Sequence, residues 1–141
     1  MSTCVYVSFD IRHDLELYER LRDQSVMAGF TVSSGSETPF AAEVWDARLR
    51  RRIREADHMI VICGQHSDAS QCMSEEIRIA QEEGTPYFLL WGRRDVMCTK
   101  PTGAKNAEGM YNWTPAILQD QIAIALRSRT RAPRYTRSGP E

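Results

Sequence analysis

No apolar run in the chain approaches the roughly 20 residues that a membrane-spanning helix needs. The opening MSTCVYVSFD lacks the basic start and the long apolar stretch of a secretory signal. A cytoplasmic location without membrane contact is the expectation. Neither sign of charge dominates, since 18 Lys and Arg stand against 19 Asp and Glu for a net charge of −1. No bulk field therefore draws the chain toward nucleic acid. Cysteine is sparse and without paired spacing, at Cys4, Cys63, Cys72 and Cys98, which suits free thiols in a reducing compartment. Cys4 and Cys63 fall in segments expected as buried strands, where a thiol serves as a small hydrophobe. Cys63, His66 and Cys72 offer three potential ligands but no second matched pair, short of a closed zinc site. No metal is expected.

Familiar nucleotide-binding and catalytic signatures are missing as well. Neither a Walker A sequence nor Gly-x-Gly-x-x-Gly occurs, which removes the P-loop and Rossmann routes to nucleotides. Without Gly-x-Ser-x-Gly there is no hydrolase nucleophile elbow. A two-component receiver needs an aspartate at the end of its third strand, where this chain has Cys63-Gly64.

What the chain does carry is an alternation of short β-rich runs with helical stripes. Residues 4–9 read as a first buried strand. A helix capped by Asp14 runs to about Ala28 with Leu17, Tyr18 and Leu21 inward, and Gly29 ends it. Residues 30–32 form a short second strand, followed by a loop through Pro39. In the next helix, from about Ala42 to Ala56, Trp45, Leu49 and Ile53 recur every four residues as a buried stripe. Its other faces carry Arg48, Arg50, Arg51, Arg52 and Arg54, which a solvated surface explains without a nucleic-acid partner. The run His58-Met59-Ile60-Val61-Ile62-Cys63 is a strand of the sort a parallel sheet buries on both faces. A loop from Gly64 to Cys72 leads to a helix from about Met73 to Glu83, closed by Gly84, and residues 87–91 form the next strand. Residues 92–112 look irregular. Thr114-Pro115 then starts a final helix with Leu118, Ile122, Ala125 and Leu126 as its stripe. The arginine-rich residues 127–141 are expected to be a disordered tail, which leaves one domain over residues 1–126.

Repeated strand–helix alternation implies right-handed crossovers and a mostly parallel central sheet, an α/β three-layer sandwich of flavodoxin-like type. Ligands in such sheets bind beyond the carboxyl ends of the strands, at the switch in strand order. That directs attention to Ser8–Asp14 and Gly64–Glu76.

Those same segments carry a family likeness. Val5-Tyr6-Val7-Ser8-Phe9-Asp10, then His13-Asp14, resembles the opening strand and box of TIR (Toll/interleukin-1 receptor) domains. Ile53-Arg54-Glu55-Ala56-Asp57 leading into Met59-Ile60-Val61-Ile62 looks like the TIR helix that feeds the third strand. Ser67, Ser70, Cys72 and Glu76-Ile77 resemble the segment that holds the catalytic glutamate of enzymatic TIR domains, although Gln71 replaces a tryptophan usual near that cysteine. Two further stretches are Gly64-x-His66-Ser67 with Glu76-Ile77-x-x-Ala80, and Pro101-x-Gly103-Ala104-Lys105 with Tyr111-Asn112-Trp113-Thr114. They are similar to a prokaryotic TIR-like subfamily that includes the TIR component of Thoeris anti-phage systems. The likeness covers about residues 4–126.

Two adjacent glutamates compete for the catalytic position. A Cys-x-x-Glu count from Cys72 selects Glu75, and the Glu-Ile-x-x-Ala pattern selects Glu76. Helix phase supplies a separate criterion. With Met73, Ile77 and Ala80 as the buried stripe, Glu76 lies about 60° from its centre and Glu75 about 160° away. Glu76 is therefore preferred, with Glu75 as runner-up. Attraction of any acidic side chain to a helix N-terminus explains both without function.

The resemblance implies cleavage of the nicotinamide–ribose bond of NAD, as substrate, to give ADP-ribose or a cyclic isomer that activates a separate effector. Glu76 would hold the ribose and stabilise an oxocarbenium-like transition state. Phe9 would stack near the nicotinamide, with Ser8 and Asp10 on the same rim. Trp45, His66, Ser67 and Cys72 are further candidates, although Trp45 suits the core better than a ligand. The resemblance also implies self-association, with the loop from Ser33 to Phe40 docking on a neighbour. Two other readings are a non-catalytic TIR interaction module and a nucleoside deoxyribosyltransferase-like enzyme, which would exchange bases on deoxynucleosides and leave NAD untouched.

Overall fold

The computed structural model describes residues 3–34, 42–104 and 109–131; side chains of residues 42–46 and 125–131 are outside that description. Chain order is β1 (Thr3–Ser8), α1 (Leu15–Ala28), β2 (Phe30–Ser33), α2 (Ala42–Glu55), β3 (His58–Cys63), a 3-10 turn (Ser67–Ala69), α3 (Gln71–Glu83), β4 (Tyr87–Trp91), β5 (Met110–Asn112) and α4 (Pro115–Arg131). All four strand pairings are parallel, in the order β2-β1-β3-β4-β5. This is the flavodoxin-like order, and it changes direction between β1 and β3.

Alternation along β1 divides the core into two layers. Val5, Val7 and the following Phe9 join Leu17, Tyr18 and Leu21 of α1 and Leu118 and Ile122 of α4. Tyr6, with Met59, Val61 and Cys63 of β3, meets Leu49 and Ile53 of α2 and Met73, Ile77 and Ala80 of α3. Every residue of β3 is buried, as its unbroken apolar run requires of a central parallel strand. Two ion pairs from Arg50, to Glu82 and Glu83 at 2.9 Å each, tie α2 to α3. One arginine of the basic face is thereby internally neutralised.

Several expectations are corrected. Cys4 is exposed, because β1 enters the sheet there and only its later residues are covered on both sides. Helix α3 starts two residues earlier than Met73: Ser70 takes the N-cap and its hydroxyl accepts from the Met73 amide at 3.3 Å. Asp14 holds the N-cap position of α1, yet its carboxylate makes no capping bond. Met110–Asn112, inside the segment read as irregular, is a fifth strand on Leu89–Trp91. Three residues are too few to show a period of two, so only the pairing defines that strand. Helix α4 continues to Arg131, past the boundary drawn at residue 126. Its start matches the reading, with Thr114 Oγ1 accepting from the Ile117 amide at 3.1 Å. Among the described residues no helix is long and apolar enough to cross a membrane.

Gly92 shows how tightly the sheet's carboxyl edge is built. Its amide donates to the Cys63 carbonyl at 2.8 Å, and a Cβ there would stand 2.7 Å from that oxygen and 2.9 Å from Leu17. Gly92→Ala is expected to lower stability by about 1–3 kcal/mol, seen as a reduced urea midpoint at unchanged slope.

Candidate active site

Tyr6 and Ser8 share one face of β1 and both reach Glu76 on α3. The Tyr6 hydroxyl donates to Oε2 at 2.5 Å and the Ser8 hydroxyl to Oε1 at 2.6 Å. Helix phase carries Glu76 further inward than the core's edge, since it is 0% exposed. Burial lifts its pKa to about 7, against the opposing pull of the Ser8 and then the Tyr6 hydrogen bond. Among the described residues no cationic side chain offsets that burial. The result is a desolvated carboxyl group poised between charge states near neutrality, at the carboxyl end of the strand beside the switch point. Glu75 is different: it faces solvent and pairs with Arg78 on its own helix.

The rim is built by the turns after β1 and β3. The Asp10 carbonyl accepts from the amides of His13 (3.2 Å) and Asp14 (2.8 Å). One Asp10 carboxylate oxygen accepts from the Arg12 amide at 3.1 Å, and the other lies 2.7 Å from His13 Nδ1. The His66 ring sits beside that of His13, centroids 4.1 Å apart. Ser67 is buried and its hydroxyl accepts from the Gly64 amide at 2.8 Å, so it closes the turn after β3 instead of facing a ligand. Cys72, one helical turn before Glu76, is half-buried. Desolvation raises its thiol pKa, Glu76 raises it further, and Arg12 opposes.

Asp14 anchors this rim from below. Its Oδ1 takes Arg93 at 3.0 and 3.2 Å, and Oδ2 is buried without a hydrogen-bond partner among the described residues. Gly64 passes so close that a Cβ would lie 2.1 Å from that oxygen. Desolvation raises the Asp14 pKa while Arg93 lowers it. Arg93 also donates to the His13 carbonyl and to Glu16, each at 2.9 Å. On the other layer a separate cleft of about 1200 Å³ opens between α1, the segment after β4 and the start of α4. Glu76 does not line it.

Ser8, Asp10, His66 and Cys72 thus gather around the same switch point as Glu76. Phe9 does not. It is 2% exposed, belongs to the α1–α4 layer, and stacks on Tyr18 at 4.8 Å. A strand residue one step from Ser8 points to the opposite face, so this ring is a core ring in the conformation described. The side chain of Trp45 and most of the loop from Ser33 to Phe40 lie outside the described residues. Sequence reasoning missed Tyr6 as a site residue, although its period-two relation to Ser8 was a usable signal. The Asp14–Arg93 pair spans 79 positions and had no such signal.

Residues 6–94 match the profile of a family described as Thoeris protein ThsB, TIR-like domain. The chain belongs to this family. The matched span runs from β1 to the segment after β4, so this TIR-like domain carries Tyr6, Ser8, Glu76 and Arg93 within it. The fold is also similar to a solved structure, that of the activated Roq1 resistosome directly recognizing the pathogen effector XopQ (TIR domains). There the TM-score is 0.50 at 15% identity, over 63% of this chain and 57% of that one. The TIR-like chain therefore spans little more than half of that neighbour. No curated protein matches it.

The raised Glu76 pKa has a consequence for stability. Below the ordinary carboxyl pKa of 4.5 the group is protonated in both the folded and unfolded states. Between 4.5 and about 7 the folded state holds the proton more tightly, so stability falls as pH rises through this window. The loss totals about 3 kcal/mol, from roughly 1.4 kcal/mol per pKa unit. Glu76→Gln, which is never charged, is expected to lack this decline. Urea unfolding of both proteins at pH 4.5 and pH 8 measures the difference.

Proposed function

We propose that this TIR-like domain consumes NAD, breaking the bond between nicotinamide and ribose with Glu76 as the catalytic carboxylate. The observation that carries the reading is the burial of Glu76 at the β1/β3 switch point, held by two hydroxyl donors. Nicotinamide leaves as a neutral base from a cationic precursor, so its departure needs no general acid. The positive charge passes to the ribose ring as an oxocarbenium-like species. A fixed carboxylate in a desolvated site stabilises that charge far more than one in water. An ionised carboxylate has about four acceptor positions. Tyr6 and Ser8 use two, which leaves two for the ribose hydroxyls once the fully buried carboxyl group is uncovered. Asp10, His66 and Cys72 would flank the substrate.

Within this reading the product is ADP-ribose or a cyclic isomer that serves as a signal to a separate effector in anti-phage defence. Self-association, with the loop from Ser33 to Phe40 meeting a neighbouring copy, would complete the site. A second reading has one observation in its favour. A glutamate with 0% exposure and both oxygens bonded also suits a structural tie between β1 and α3 in a non-catalytic interaction module.

The two readings separate on nicotinamide release from NAD by the purified protein at high concentration, followed by mass spectrometry. Turnover is expected, and Glu76→Gln is expected to reduce kcat by about 10²–10³-fold. Equal activity in that variant removes Glu76 from the chemistry, and no turnover in the wild type favours the interaction module. Because the ionised carboxylate is the working form, kcat/KM should rise with pH and level off above about 7.

A further inference from the structure

The turns on either side of the switch point bring together a carboxylate and two imidazoles, of which the reading above uses Asp10 and His66 only as flanks and leaves His13 without a task. Asp10 and His13 come from the turn after β1, and His66 from the turn after β3. A carboxylate can only accept a hydrogen bond. The 2.7 Å contact between Asp10 Oδ2 and His13 Nδ1 therefore fixes the proton of a neutral ring on Nδ1 and leaves a lone pair on Nε2. Asp10 is itself held by the Arg12 amide and by its own carbonyl's bonds to His13 and Asp14. The ring is further confined by His66, at 4.1 Å and a tilt of 32°. With 47% of its side chain exposed, His13 is open to an incoming molecule. An imidazole oriented by a carboxylate with its second nitrogen free is the arrangement of a general base.

The strand end links this pair to Glu76. Ser8, bonded to Glu76 Oε1, and Asp10, bonded to His13, are two positions apart at the carboxyl end of β1. Cys72 interacts electrostatically with Glu76, Asp10 and Arg12, which links the turn after β1 to the helix that carries Glu76.

We infer that His13, positioned by Asp10, takes the proton from the oxygen nucleophile that captures the ribosyl cation. The inference rests on the NAD reading. In the first step the C1–N bond breaks and its electron pair goes to the pyridinium nitrogen, which releases neutral nicotinamide. In the second, an oxygen of water or of a ribose hydroxyl forms the C1–O bond. Its proton passes to His13 Nε2 and then to solvent. Glu76 serves both steps, and His13 only the second.

A pyridine base separates them, because its ring nitrogen attacks without a proton to lose. The experiment compares wild type, His13→Gln and Glu76→Gln with NAD in the presence of 3-acetylpyridine, following the exchanged dinucleotide and the oxygen-linked products in the same samples. His13→Gln is expected to keep base exchange at the wild-type rate and to lose oxygen-linked product by about 10²-fold or more. Glu76→Gln should lose both. Asp10→Asn should shift the ratio in the same direction as His13→Gln and provides a second handle if that variant unfolds. A His13→Gln protein with the wild-type unfolding midpoint that loses both reactions equally, or neither, overturns the assignment while leaving the NAD reading intact. A wild type that performs neither reaction overturns both.

Discussion

The two-residue repeat of a β-strand decides how this site can be built. Once Val5, Val7 and Phe9 are committed to the α1–α4 layer, the even positions of β1 must face α3. Tyr6 and Ser8 then present hydroxyls to whatever that helix places opposite them. A one-residue slip in β1 would direct valines at Glu76 and bury the hydroxyls against α1. Sheet register, the identity of the carboxylate's partners and the location of the rim are therefore one constraint. Parallel pairing of β1 with β3, Ser8 opposite Val61, fixes it in space.

The electrostatic consequence concerns two buried acids treated in different ways. Glu76 receives two neutral hydroxyls and, among the described residues, no cation, so its ionisation stays costly and its pKa sits high. Asp14 receives Arg93 on one oxygen and, among the described residues, no hydrogen bond on the other. The first arrangement leaves a group whose charge responds to its surroundings. The second uses charge to tie the turn after β1 to the segment after β4. Buried carboxylates of these two kinds, one held by hydroxyls and one by a guanidinium, sit on either side of the switch point.

Most of the layer structure was legible in the chain because it rests on local rules. The apolar run of β3, the stripes Leu17–Tyr18–Leu21 and Leu49–Ile53, and glycines at the helix ends each carry their own signal. Helix phase correctly set Glu76 inward and Glu75 outward, though the depth of burial depends on Tyr6 and Ser8, 70 and 68 positions away. The family likeness led toward a ring at Phe9, but simple alternation already opposed placing Phe9 and Ser8 on one rim. Contacts such as Arg93 with Asp14, or the rings of His13 and His66, join segments whose relation exists only after folding. Strand β5 is of the same kind, being defined by its neighbour more than by its residues.

Gly64 brings one more property into view. By leaving no side chain between the turns after β1 and β3, it lets the Asp14 carboxylate lie directly on the backbone. That oxygen is buried and has no hydrogen-bond partner among the described residues. Any side chain at position 64 would therefore act on both turns at once, because it would have to displace the carboxylate that Arg93 holds.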